Sequence, residues 1–138
     1  MKAKIWYRVA AVMLVLFAAG HTMGFRQVDP KWGADAVVAA MKSVHFDVQG
    51  FNRNYWDFYT GFGFFVTILE LFLAALTWQL AGMAPEVLGR MGLVAWGLVA
   101  CFAAVTVLSW EYFFMAPVIF SVVITVCLIV GAVVRGRS

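Results

Sequence analysis

Glu70 is the only Asp, Glu, Lys or Arg in the apolar run from Phe58 to Met83. A charged group near the centre of a bilayer costs roughly 2.5 kcal/mol or more on insertion scales, so an acid there needs a partner or a task. On a wheel of about 100° per residue, Tyr59, Gly63, Thr67, Ala74 and Thr77 share its face. Phe58, Phe65, Ile68, Phe72 and Leu76 lie opposite, so the small and polar side is expected to face other helices. Counting along the other apolar runs places Met13, Cys101 and Thr125 at a similar depth, and none is basic. Without a cation at its level the neutral acid is favoured. Two chemistries fit: a carboxyl that joins helices by hydrogen bonds to Thr67, Thr125 or a backbone carbonyl, or a proton-handling or ligand-binding carboxyl beside a pocket.

A second constellation lies at the ends of the apolar runs. His21, Thr22 and Arg26 close the first, Arg53, Tyr55, Trp56 and Asp57 open the second, and Trp110 and Glu111 stand between the third and fourth. Two carboxylates, two arginines and a histidine at one depth can close an ion-pair network through arginine forks. The same groups can serve as an acid/base or head-group site in the mouth of a helix bundle, with His21 oriented by Asp57 or Glu111. Candidate ligand-binding residues are therefore His21, Arg26, Arg53, Trp56, Asp57, Tyr59, Glu70, Trp110 and Glu111, and Glu70 and His21 are the candidate catalytic groups.

Other chemistries are weakly supported. His21 and His45 lack the His or acid partners at i, i+3 or i, i+4 that helical metal and haem sites use, so no metal or cofactor is expected. Gly61 and Gly63 have no preceding strand and no following lysine, which argues against a phosphate loop and for close helix approach. Cys101 and Cys127 lie within apolar runs with no CxxC, and read as small packing residues.

The elements that must position these groups are set by hydropathy. Of 138 residues, 64% are hydrophobic and 12% charged, a composition that requires lipid around it. Four runs of about 20 residues suit membrane-spanning helices: about 5–25, 58–83, 87–110 and 112–134, within one integral membrane domain covering 1–138. The expected fold is an all-α membrane protein, a bundle of four transmembrane helices. The first run, with Lys2, Lys4 and Arg8 at its start and Ala18-Ala19-Gly20 near its end, also has the form of a secretory signal; it is taken here as the first helix. Pro117 falls about one turn into the fourth run, where neighbouring groups must take up the freed carbonyl.

The segment 26–57 is the long loop. Asp29-Pro30 reads as an N-cap and first helical residue, followed by an amphipathic helix. Ala36, Val37, Ala40, Met41 and Val44 form its apolar face, with Lys31, Asp35 and Lys42 on the other and Trp32 as an interfacial anchor. Gln49-Gly50-Phe51-Asn52 reads as a turn. Lys2, Lys4 and Arg8 at one end and Arg135 and Arg137 at the other place both termini in the cytoplasm, which leaves the long loop on the outer side of a bacterial inner membrane. Nucleic acid is not expected as a partner, since the basic residues behind the net charge of +3 cluster at the chain ends and in the long loop and form no basic soluble face with groove-reading residues.

As a set, Gly20-His21-Thr22-Met23-Gly24-Phe25, the stretch Met41 to Asp47, the stretch Tyr55-Trp56-Asp57-Phe58-Tyr59-Thr60-Gly61-Phe62-Gly63 and the stretch Ser109 to Phe114 resemble a family of small, uncharacterised bacterial four-helix membrane proteins. In size and span count the chain is also similar to DoxX-like membrane proteins. Sterol-isomerase-like four-helix enzymes are a looser comparison, because their acidic and histidine constellation has no residue-by-residue counterpart here. The resemblance implies a fold and no activity. The functional expectation is a module that binds a lipid-like or hydrophobic small molecule, or a membrane partner or second copy, through an outer-facing polar mouth. The alternatives are a small membrane enzyme doing acid/base chemistry on a lipid-like substrate, and an oligomeric proton-coupled transporter.

Overall fold

The computed structural model describes residues 2–135. Arg137, counted above among the cytoplasmic cations, lies outside them. Four helices are long and apolar enough to cross a membrane: α1 (Lys2–Gly24), α3 (Tyr55–Gly82), α5 (Gly92–Tyr112) and α6 (Met115–Val134). Two short helices, α2 (Asp35–Ser43) and α4 (Pro85–Arg90), and a hairpin of β1 (His45–Val48) and β2 (Phe51–Asn54) fill the connections. The chain is of the all-α, multi-pass membrane class.

It forms two compact units, one of Met1–Phe17 with Glu70–Ser138 and one of Ala18–Leu69. In the larger unit, segments of all four long helices share one core. Tyr7, Ala10 and Leu14 from α1, Ala74, Leu80 and Ala81 from α3, Ala95, Leu98 and Phe102 from α5, and Ile124, Cys127 and Leu128 from α6 are buried in it. Small residues let the helices approach closely: a Cβ added at Gly131 would stand 3.0–3.2 Å from the Tyr7 ring. Cys127 packs inside as expected, but Cys101 is exposed on the opposite face of α5. The Arg8 guanidinium lies 3.5 Å above the Trp78 ring, so the cation is held on an aromatic face at its end of α1.

Helix boundaries differ from the hydropathy reading wherever capping chemistry outweighs the apolar count. The third span begins at Gly92 and not near Val87, because Pro85 at the first turn and Glu86 start a separate short helix that stops at Met91. Gly89 and Gly92 on either side of that stop lower the helical preference. The fourth span begins at Met115 and not Tyr112, after Phe113 and Phe114 adopt extended backbone. Pro117 therefore sits in the first turn of α6, where its missing N–H would have had no helical acceptor and no carbonyl needs rescue.

The smaller unit holds most of the departures. Asp29 does cap a turn, accepting from Lys31 N at 2.9 Å, but the turn is a single 3₁₀ turn over Pro30–Trp32, ended by Gly33 in the left-handed region. The amphipathic helix α2 follows, starting at Asp35. Of the expected apolar face only Met41 is half-buried; Ala36, Val37, Ala40 and Val44 are exposed, while Val38 takes the inward place beside Met41. The chain then makes the antiparallel hairpin, with His45 opposite Asn54 and Val48 opposite Phe51. Its turn is only Gln49-Gly50, both at positive φ (52° and 85°), with Asp47 Oδ1 accepting from Gly50 N at 3.0 Å. Positive φ at both central residues matches the right-handed twist of the strands they join.

Candidate functional site

The start of α3 is set by a reciprocal cap. Asn54 Oδ1 accepts from Asp57 N at 2.8 Å, and Asp57 Oδ2 accepts from Asn54 N at 3.1 Å. This is the capping-box arrangement with Asp in the place usually taken by Glu or Gln, and it starts the helix three residues before the hydropathy signal does. Asn54 is buried and also donates through Nδ2 to Lys42 O at 3.0 Å, which ties α2 to the hairpin. His45 donates through Nδ1 to Ser43 O at 3.0 Å, and its Nε2 lies 3.4 Å from Asn54 Nδ2. Both ring nitrogens of His45 are thus occupied by neighbours. Phe46 stacks on Phe58 and tilts against Tyr55, and Lys42 Nζ stands 4.4 Å over the Trp56 ring.

The two motifs most prominent in the sequence meet in this unit. His21 Nε2 donates to Gly63 O at 3.0 Å. Thr22 Oγ1 donates to Ala18 O at 2.7 Å and lies 2.9 Å from Thr67 Oγ1. Thr67 Oγ1 also lies 3.2 Å from Gly63 O, so the two hydroxyls and the carbonyls of Ala18 and Gly63 form one small cluster in which each hydroxyl has a single hydrogen to give. Phe25 stacks on the His21 ring and meets Phe64 edge-on, and Tyr59 donates its hydroxyl to Phe25 O. The Phe25 ring occupies the space over Gly63 so closely that a Cβ there would overlap it. His21 and Tyr59 accordingly position the end of α1 on α3. His21 commits Nε2 to a carbonyl, and any base chemistry at this residue would fall to Nδ1.

The charges of the expected mouth take separate partners among the described residues. The Arg26 guanidinium lies 5.0 Å over the Phe64 ring and 5.4 Å over the Phe25 ring. Arg53 donates to Asn52 O at 2.9 Å and stands over the Phe51 ring, while Asp57 caps Asn54. Each charge is stabilised locally by backbone or an aromatic face, in place of the arginine–carboxylate forks the sequence allows. Trp110 and Glu111 belong to the larger unit, exposed at the end of α5.

Glu70 is in the larger unit and only 7% exposed. The α3 wheel holds around Glu70 for Ala74 and Thr77, which are buried with it, and for Phe72, which is exposed; it fails for Tyr59, which is exposed, and for Leu76, placed opposite but packed against the core. The partners expected for it are engaged elsewhere: Thr67 with Gly63 O and Thr22, and Thr125 with Ser121 O (2.7 Å) and Thr106 (3.3 Å). Glu70 Oε2 is buried with no hydrogen-bond partner among the described residues, as are the hydroxyls of Tyr7 and Thr77.

One concavity in the smaller unit joins charge to apolar surface. It is a shallow, open groove of about 240 Å³ lined by Arg53, Asp57, Phe58, Gly61, Phe62 and Phe65, with Phe62 and Phe65 largely exposed. Phe58, Gly61, Phe62 and Phe65 follow one another at helical spacing along a single stripe of α3, so the groove extends about 10 Å down the helix. Arg53 and Asp57 stand at its head. Phe62 and Phe65 were not singled out for binding from sequence, because an aromatic stripe on a membrane helix reads first as lipid-facing surface. The signal that distinguishes them is Gly61, whose missing side chain leaves open space between two phenylalanines. Among the described residues no three His, Cys, Asp or Glu side chains gather as a metal site requires. Compared with protein-family models, with curated proteins and with solved structures, the chain matches none.

Proposed function

We propose that this protein is a bacterial inner-membrane module, with both termini in the cytoplasm, that binds a lipid-like amphiphile in the groove headed by Arg53 and Asp57. The observation that carries the reading is the composition of that groove: a cation and an anion at one end and a phenylalanine-lined floor opened by Gly61. Such a surface suits a ligand with a polar head and an apolar body, the head meeting the charges and the body lying along α3. The Arg53 guanidinium supplies N–H donors for an acidic or carbonyl head, and Asp57, which uses Oδ2 for the helix cap, has a second oxygen for a donor on the ligand. In this reading the segment 26–57 lies on the outer side and the exposed face of α2, with Trp32, rests in the interface.

The test is native mass spectrometry of the full chain released from mild detergent. The wild type retains a stoichiometric amphiphile and Gly61→Leu does not. Nothing lies within 4 Å of a Cβ at Gly61, so the leucine side chain starts in open space and extends into the groove. Equal retention by both proteins contradicts the assignment. A second reading, a small membrane enzyme or oligomeric proton carrier working through Glu70, draws on the buried Oε2 of that residue, which has no hydrogen-bond partner among the described residues.

A further inference from the structure

A second cavity lies in the larger unit, where α1 begins and α6 ends. It encloses about 220 Å³, and its lining includes Ala3, Ala81, Met83 and Leu88 as apolar wall and Lys4 and Arg135 as cations. No acid lines it. Arg135 is held in place: its Nη1 donates to Ala132 O at 2.5 Å, and its Nη2 stands 3.1 Å from where a Cβ on Gly92 would be. Its Nε is buried and has no partner among the described residues. A buried guanidinium N–H without an acceptor is unfavourable, and an oxyanion is the acceptor whose charge and geometry suit it. Lys4, exposed one turn into α1, adds a second positive charge at the mouth.

We propose that this cavity binds the phosphate of an anionic phospholipid. The cations determine the sign of the head group, and the apolar wall favours an anion attached to an acyl chain over a free ion. Residues at both ends of the chain build the site, so an occupant would join the start of α1 to the end of α6. The site is independent of the groove on α3, which lies in the other unit.

The experiment is lipid competition on the full chain in detergent, with phosphatidylglycerol and phosphatidylcholine added in equal amounts and binding read by native mass spectrometry. The wild type is expected to prefer phosphatidylglycerol. Each basic residue near an anionic lipid contributes roughly fivefold in binding, so Lys4→Gln with Arg135→Gln should weaken phosphatidylglycerol by about 25-fold and leave phosphatidylcholine unchanged. Because the comparison is between wild type and variant, lipid bound elsewhere cancels. Lys4→Gln alone, at an exposed position, gives a roughly fivefold loss and keeps the test open if the double variant misfolds. Inorganic phosphate in the millimolar range should not displace the lipid; displacement would assign the same anion site to free phosphate. A wild type without preference for phosphatidylglycerol, or glutamine variants that keep it in full, overturns the proposal.

Discussion

Replacing Gly63 with alanine should destabilise the protein, although alanine is the better helix former. In the interior of α3 the change gains about 1 kcal/mol from helix propensity alone. Against this, the new methyl group would overlap the Phe25 ring. That ring is not a loose end: it stacks on His21 at 5.1 Å between centroids, meets Phe64 at 5.4 Å and Tyr59 at 6.0 Å, and its own backbone carbonyl accepts from Tyr59. Moving it sacrifices aromatic contacts of about 0.5–1.5 kcal/mol each, within the general cost of overpacking of about 1–3 kcal/mol. Less the propensity gain, the net expectation is a loss of up to about 2 kcal/mol. Gly61→Ala is the internal control, since its Cβ meets nothing within 4 Å, and it should gain about 0.5–1 kcal/mol. Reversible denaturation in mixed micelles, followed by tryptophan fluorescence, measures both. Phe25→Leu combined with Gly63→Ala should recover much of the loss, a non-additivity expected only of residues in contact. If Gly61→Ala and Gly63→Ala stabilise equally, the packing of α1 on α3 described here is incorrect.

Three further predictions rest on other contacts. Asn54→Ala removes the α3 cap and the tie to Lys42 O, and should cost about 1–2 kcal/mol, with faster amide exchange at Asp57 as its local signature. Glu70→Met replaces an unpartnered buried oxygen by an apolar side chain of similar length, so the fold should hold or gain about 1–3 kcal/mol; a loss of similar size in the same denaturation would show that the carboxyl is satisfied. Gln49→Asn should stabilise the hairpin by about 0.5 kcal/mol, read as slower exchange of the β1 and β2 amides, because asparagine tolerates the left-handed backbone of that turn better than glutamine.

How much of this was legible in the sequence depended on the range of the physics involved. The four apolar spans and the inward face of α3 follow from helical periodicity, a local property, and Glu70, Ala74 and Thr77 are buried together as the wheel requires. The hairpin was missed, although Gln49-Gly50 after the alternating stretch His45 to Val48 carries a signal for it, because Gln is an unusual residue at positive φ, the strands are short and Phe51 to Asn54 does not alternate. The capping pair Asn54 and Asp57 was also within reach, but Asp57 reads first as a free carboxylate when it stands near arginines and a histidine. Which partners the mouth residues would choose was not legible. Arg26 and Arg53 had acids available by depth and took aromatic faces instead, a choice made by side-chain geometry that sequence distance does not encode. The close approach of Phe25 to Gly63 is of the same kind: both residues stand out in the sequence, yet only packing relates them.

The assignment of the α3 groove as the binding surface is tested most directly by photo-crosslinking. A phospholipid with a diazirine on its acyl chain, incorporated with the purified chain and irradiated, should label the peptide that holds Phe58, Phe62 and Phe65 in the wild type. Labelling there should be lost in Gly61→Leu and displaced by excess unlabelled lipid, while labelling of the exposed faces of α5 and α6 stays the same. Uniform labelling of all lipid-facing peptides, unchanged by the leucine, would contradict the account.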